Sequence, residues 1–202
     1  MTSDVSFARR RAVLLFAGVG ALVLAGCAGD RDPPPGEPSF YQNLAKGGQL
    51  DPAAAASMIS GYRRNNGLGA VTLDPVLMRL AEEQAQAMAA KNKLDHNVGR
   101  DFKTRMSSSG FDAAMAVENV SAGYHTLAEA FSGWRDSPPH RANMLAKDAT
   151  RMGIGAVYAP NTKYRVFWAL IMAAPDKRAD TGGPASGTPH QWGMPLPQAT
   201  LR

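Results

Sequence analysis

The stretch Thr126-Leu-Ala-Glu-Ala-Phe-Ser-Gly-Trp134-Arg-Asp-Ser137-Pro138-Pro139-His140-Arg141-Ala142-Asn143-Met144-Leu145 spells two consecutive helices. Leu127, Ala130, Phe131 and Trp134 recur on one helical face, and Thr126 with Glu129 forms a capping box at its start. Ser137-Pro138 restarts the chain as a short helix with Ser137 at the N-cap, because proline in the first turn gives up an N–H that lacks a partner there anyway. His140 falls early in that second helix, where free N–H groups disfavour imidazolium. Its ring is therefore expected to be neutral near pH 7, with a lone pair free to ligate a metal or take a proton.

Working outward, Asp51-Pro52 and Asp74-Pro75 announce two earlier helices, each with an acidic N-cap before a proline. The first presents Met58, Ile59 and Tyr62 on one face and stops near Asn65-Asn66-Gly67. The second runs to about Lys93, with Leu77, Leu80, Ala81, Gln84 and Met88 at helical spacing. Strands come late: Gly153–Tyr158, a turn near Pro160-Asn161, then the nearly unbroken apolar run Tyr164–Ala173, which reads as a strand covered on both faces. A shorter strand holds Glu118–Val120. Helices around a hairpin-connected sheet predict an α/β fold, a three-layer α-β-α sandwich with a mainly antiparallel sheet. Met115, Met144, Met152, Met172 and Trp134 are expected in its core.

The 202 residues are 45% hydrophobic and 19% charged, which fits one globular domain. The charge of +5 falls further once Arg9-Arg10-Arg11 are set aside, too little and too scattered for a nucleic-acid partner. A single cysteine, Cys27, excludes an internal disulfide and a multi-cysteine zinc site. The three arginines precede an uncharged apolar run, Ala12–Gly26, short of the about 20 residues a spanning helix needs and suited to a secretory signal. Leu24-Ala25-Gly26-Cys27 resembles a bacterial lipobox, which implies cleavage before Cys27 and acylation of its thiol. Ala28 in place of Asp favours the outer membrane, facing the periplasm, with the inner membrane second. The expected organisation is a signal peptide at 1–26, a lipidated N-terminus and proline-rich linker at 27–47, a domain at 48–175, and a Gly/Pro-rich flexible tail at 176–202.

Three polar residues end predicted elements beside apolar ones: His96, Glu118 and His140. Two histidines and a carboxylate suit Zn²⁺ with an open fourth position, and equally a hydrogen-bonded structural network. No His-Glu-x-x-His, Gly-x-Ser-x-Gly, Walker or dinucleotide fingerprint occurs, and no third member completes a triad for Ser137.

Taken in order, Asp95-His96, Glu118-Asn119, the Trp134–Leu145 block and Gly153-Ile-Gly155 resemble the CAP superfamily (the SCP domain of cysteine-rich secretory proteins, antigen 5 and pathogenesis-related 1 proteins), in its bacterial lipoprotein branch. The resemblance covers about residues 52–175 and implies that family's α-β-α sandwich. It also implies a cleft of two His and two Glu that binds a divalent metal in some members. His96, Glu118 and His140 match three of those positions, with His96 and His140 as the metal ligands. The fourth does not transfer: Ser137 stands there, and the capping box accounts for Glu129. Val117 replaces the usual glycine before Glu118, which narrows the cleft. A site short of one carboxylate is expected to hold Zn or another divalent metal weakly. The resemblance implies a non-catalytic envelope protein with a lipid, peptidoglycan-fragment or protein ligand. The alternative is a metal-assisted hydrolase with Glu118 as general base.

Overall fold

The computed structural model describes residues 36–176. The expected signal peptide and Cys27, and all of the expected tail beyond Asp176, lie outside the described residues. Within them, α1 (Pro52–Asn65) and α2 (Pro75–Lys91) begin as the Asp-Pro pairs dictate: Asp51 accepts from Ala54 N–H at 3.0 Å, and Asp74 from Val76 and Leu77 N–H at 2.9 and 3.1 Å. After α2 come α3 (Phe102–Ser107), β2 (Ala113–Ala122), α4 (Leu127–Asp136), α5 (Pro138–Met144), β3 (Arg151–Tyr158) and β4 (Val166–Pro175); a two-residue β1 (Thr72–Leu73) separates α1 from α2.

The sheet order is β1-β3-β4-β2, with β1–β3 parallel and the other pairs antiparallel. Every residue of β4 from Val166 to Ala174 is buried, and the strand's alternation divides the interior. Trp168, Leu170 and Met172 face Ile59 of α1, Trp134 of α4 and Met144 of α5. Phe167, Ala169, Ile171 and Ala173 face Leu77, Leu80 and Met88 of α2 and Met106 of α3. Two helical layers thus enclose one sheet, the α-β-α sandwich expected. Met144, Met152 and Met172 fill the core, as does Trp134.

Gly153 and Gly155 bring α2 onto β3 at backbone distance: a Cβ at either would overlap the backbone of Leu77 or Glu82. On the opposite layer Arg63 of α1 is fully buried, and its hydrogen bonds go to main-chain oxygens. Its guanidinium donates to four carbonyls, Gly69 (2.8 Å), Met144 (3.0 Å), Ala146 (2.8 Å) and Ala149 (2.9 Å), and so fastens the segment after α5 to α1.

Three details depart from expectation. The fold takes in residues ahead of position 48: Leu44 is buried in the core, and short 3-10 turns occupy Ser39–Tyr41 and Leu44–Lys46. An apolar anchor in a Pro/Gly-rich stretch reads as linker until the core that receives it is known. The strand bearing Glu118 is Ala113–Ala122, longer than Glu118–Val120, because its alanines carry little strand signal. Ser137 sits at the N-cap of α5, but its side chain makes no capping bond.

Candidate functional site

Glu118 occupies the middle of β2 with its side chain turned towards the α2/α3 layer, 1% exposed. Burying a carboxylate there needs partners, and two arrive from different elements. His96 follows α2 in a loop pinned by Gln84, whose amide donates to the Asp95 carbonyl at 2.8 Å, and by a Lys93–Asp95 pair at 2.7 Å. From that loop the His96 Nδ1 meets Glu118 Oε1 at 2.8 Å. Arg105, on the short α3, donates to Glu118 Oε2 at 2.8 Å and to the His96 carbonyl at 3.1 Å, and its guanidinium lies over the Phe102 ring at 5.3 Å.

Arg105 is a site residue that the sequence reading missed. A lone arginine in a six-residue helix reads as a solvated cation, yet its side chain is 5% exposed. The available signal is that Phe102 and Met106 flank it at helical spacing, so α3 must bury a face that includes position 105 or its neighbour.

The next residue, Asn119, turns to the other layer. Its Nδ2 donates to the His140 carbonyl at 2.9 Å, while Asn143 donates to Asn119 Oδ1 at 2.9 Å and to the Glu118 carbonyl at 3.1 Å. Those bonds lay α5 along the outer edge of β2 and fix where His140 stands. Among the described residues no hydrogen bond links the His140 ring to His96 or Glu118, so the third candidate is placed by backbone contacts.

The two histidines titrate apart. The hydrogen bond that His96 donates to the Glu118 carboxylate raises the His96 pKa above its ordinary 6.5, outweighing partial burial. Burial lowers that of His140, helped by the field of His96. A neutral His140 agrees in direction with the sequence reading, but desolvation leads rather than the helix terminus. Glu129 is committed elsewhere: its carboxylate accepts from Thr126 and His125 N–H at 3.0 and 2.7 Å and closes the capping box. Val117 faces away from Glu118 and packs on the α1/α4/α5 side.

A metal centre with three protein donors does not fit this arrangement. Among the described residues no three His, Cys, Asp or Glu come together as a ligand set, and both Glu118 oxygens are taken by cationic or N–H donors. What remains is His96 Nε2, half exposed and oriented through the other ring nitrogen by a carboxylate, together with His140.

Comparison with known proteins bears on this geometry. The model of the family described as "CAP: Cysteine-rich secretory protein family" matches residues 56–172. The uncharacterized protein YkwD of Bacillus subtilis (strain 168) is 34% identical over 103 residues, 50% of this chain and 40% of that relative, so the match spans well under half of its length. Among solved structures, an extracellular protein containing an SCP domain from Bacillus anthracis superposes with a TM-score of 0.54 at 21% identity, over 60% of this chain and 39% of that one. An outer surface protein of Borrelia burgdorferi gives 0.56 at 17% identity, over 63% of this chain and 97% of that one. At those identities the structures speak for the fold.

Proposed function

The chain belongs to the CAP, or cysteine-rich secretory protein, family, and on that premise we propose an exported lipoprotein whose cleft binds an envelope ligand without turning it over. Acyl chains on Cys27 hold it to the outer membrane, facing the periplasm, and the cleft at His96, Glu118 and His140 takes a lipid, a peptidoglycan fragment or a protein. What supports export is the leader and lipobox in the sequence, with extracellular and outer-surface proteins among the solved structures of this fold. No helix among the described residues is long and apolar enough to cross a membrane; the reading assigns attachment to acyl chains because of the lipobox-like Leu24–Cys27.

One observation carries the reading of the cleft: each Glu118 oxygen already has a partner, His96 on one and Arg105 on the other. A general base needs a free oxygen facing the water it activates. Glu118 instead holds the His96 ring, leaving Nε2 to face the ligand. A divalent ion drawn to the cleft rests on the two imidazoles and keeps most of its water, so its affinity is low.

The test is to challenge the full chain after the leader with peptide, ester and cell-wall fragment substrates, with and without Zn²⁺ or Mg²⁺, while extracting bound lipid for mass spectrometry. Saturable binding without product supports the reading. Metal-dependent turnover lost in both His96→Ala and His140→Ala would replace it with the hydrolase. The mass of Cys27 in the native protein reports the acyl chains directly.

A further inference from the structure

The hairpin joining β3 to β4 breaks a backbone rule. Arg165 has φ of +65°, a left-handed conformation that hairpin turns ordinarily give to glycine or asparagine. Its neighbours leave it little choice: Ala159 N–H donates to the Arg165 carbonyl at 2.6 Å, and Arg165 N–H donates to Thr162 Oγ1 at 3.1 Å. A turn that calls for a residue without a side chain here carries a long cation.

The side chains around it share a character. The Arg165 guanidinium lies 5.8 Å from the Tyr158 ring and donates to its hydroxyl at 3.1 Å, and Tyr158 is itself exposed. Lys163 Nζ lies 5.0 Å from the Tyr164 ring. Lys163 N–H donates to Asn92 Oδ1 at 2.9 Å, which brings the end of α2, with Lys91, alongside the tip. Among the described residues no ion pair takes up Lys91, Lys163 or Arg165, whereas nearby Asp95 is paired with Lys93.

The segment bearing Leu44 also lies against this end of the sheet. Tyr158 pairs with Val166 at the start of β4, and Gly123 N–H donates to the Val166 carbonyl at 2.9 Å. Two residues on, the His125 carbonyl accepts from Leu44 N–H at 2.9 Å.

We propose that the β3–β4 tip, with Lys163, Arg165 and Tyr158 at its centre and Lys91 beside it, docks on a membrane surface rich in anionic phospholipid. The cations meet the headgroup phosphates and the tyrosine lies at the interface, where its ring and hydroxyl suit the boundary. The chemistry of the patch is independent of the lipid-anchor reading.

The test uses the full chain after the leader with Cys27→Ser, so that no acyl chain contributes, and vesicles of phosphatidylglycerol with phosphatidylcholine or of phosphatidylcholine alone. Binding to the anionic vesicles only, reversed by salt, is expected. Lys163→Glu should weaken it tenfold or more. Arg165→Gly should weaken it several-fold while raising the thermal midpoint, since it relieves the left-handed strain; a merely structural arginine would not give that opposed pair of changes. Equal binding to both vesicle types, or variants that bind like the parent, would overturn the proposal. Competition by millimolar glycerol phosphate would overturn it too, showing a site for a free anion.

Discussion

Glu118 and Asn119 are neighbours in sequence and face opposite layers of the molecule. The carboxylate enters the α2/α3 layer and meets His96 and Arg105, while the amide enters the other layer and holds α5 through the His140 carbonyl and Asn143. One dipeptide on an edge strand thereby positions His96 on one side and α5, with His140, on the other, by the two-residue alternation of a strand.

Removing the carboxylate strands a buried cation. Glu118→Gln is expected to cost about 3 kcal/mol in urea unfolding, the penalty for breaking a buried pair from one side. Replacing both partners, Glu118→Leu with Arg105→Met, should recover most of it, because two apolar groups leave no charge uncompensated. Any assay that uses Glu118→Gln to look for a base must first show that the variant is folded.

The asparagine clamp should behave as one unit. Asn119→Ala and Asn143→Ala each lose a bond to the partner and a bond to a backbone carbonyl, and each is expected to cost about 1–2 kcal/mol. The double variant should cost clearly less than the sum, which a double-mutant cycle of unfolding free energies measures. Strict additivity would mean that the pair does not act together.

The histidines pull the pH dependence of stability in opposite directions. The raised pKa of His96 stabilises the fold fully below 6.5, and that contribution is lost as pH rises through the folded value. The lowered pKa of His140 favours the fold above 6.5, and that contribution is lost as pH falls through its depressed value. Relative to the parent, His96→Gln should lose stability on the acid side and His140→Gln should lose less than the parent does there. Urea midpoints across the pH range check both slopes, and histidine NMR titrations should show His96 above His140.

Gly153→Ala and Gly155→Ala should each destabilise by about 3 kcal/mol, since the added methyl meets helix backbone that cannot rotate aside. Gly69→Ala is the control: nothing lies within 4 Å of the position where its Cβ would stand. Thermal midpoints of the three variants decide the matter.

The long elements were legible because their signals are local. Asp51-Pro52, Asp74-Pro75 and the Thr126/Glu129 box each set a helix start from within a few residues, and the apolar run before Ala173 can only be a strand covered twice. The membership of His96 and Glu118 in one site followed from resemblance, since nothing in their spacing forces contact. Arg105 and Arg63 were not legible, because a buried arginine is indistinguishable in sequence from an exposed one until its acceptors are placed. Those acceptors are backbone carbonyls for Arg63, and a carboxylate from a different element for Arg105. Leu44 stayed hidden for the related reason that its core partners lie far along the chain.

Arg63 also bears on how firmly α5 is held. Asn119 and Asn143 hold α5 from the sheet side, and Arg63 grips Met144 and Ala146 at the helix's far end. The helix that carries His140 is thus tied to β2 and to α1 along its C-terminal half. On the proposed reading of a ligand-binding site, capture then needs no opening step: association should be a single phase that rises linearly with ligand concentration, and selectivity should reside in how long each ligand stays.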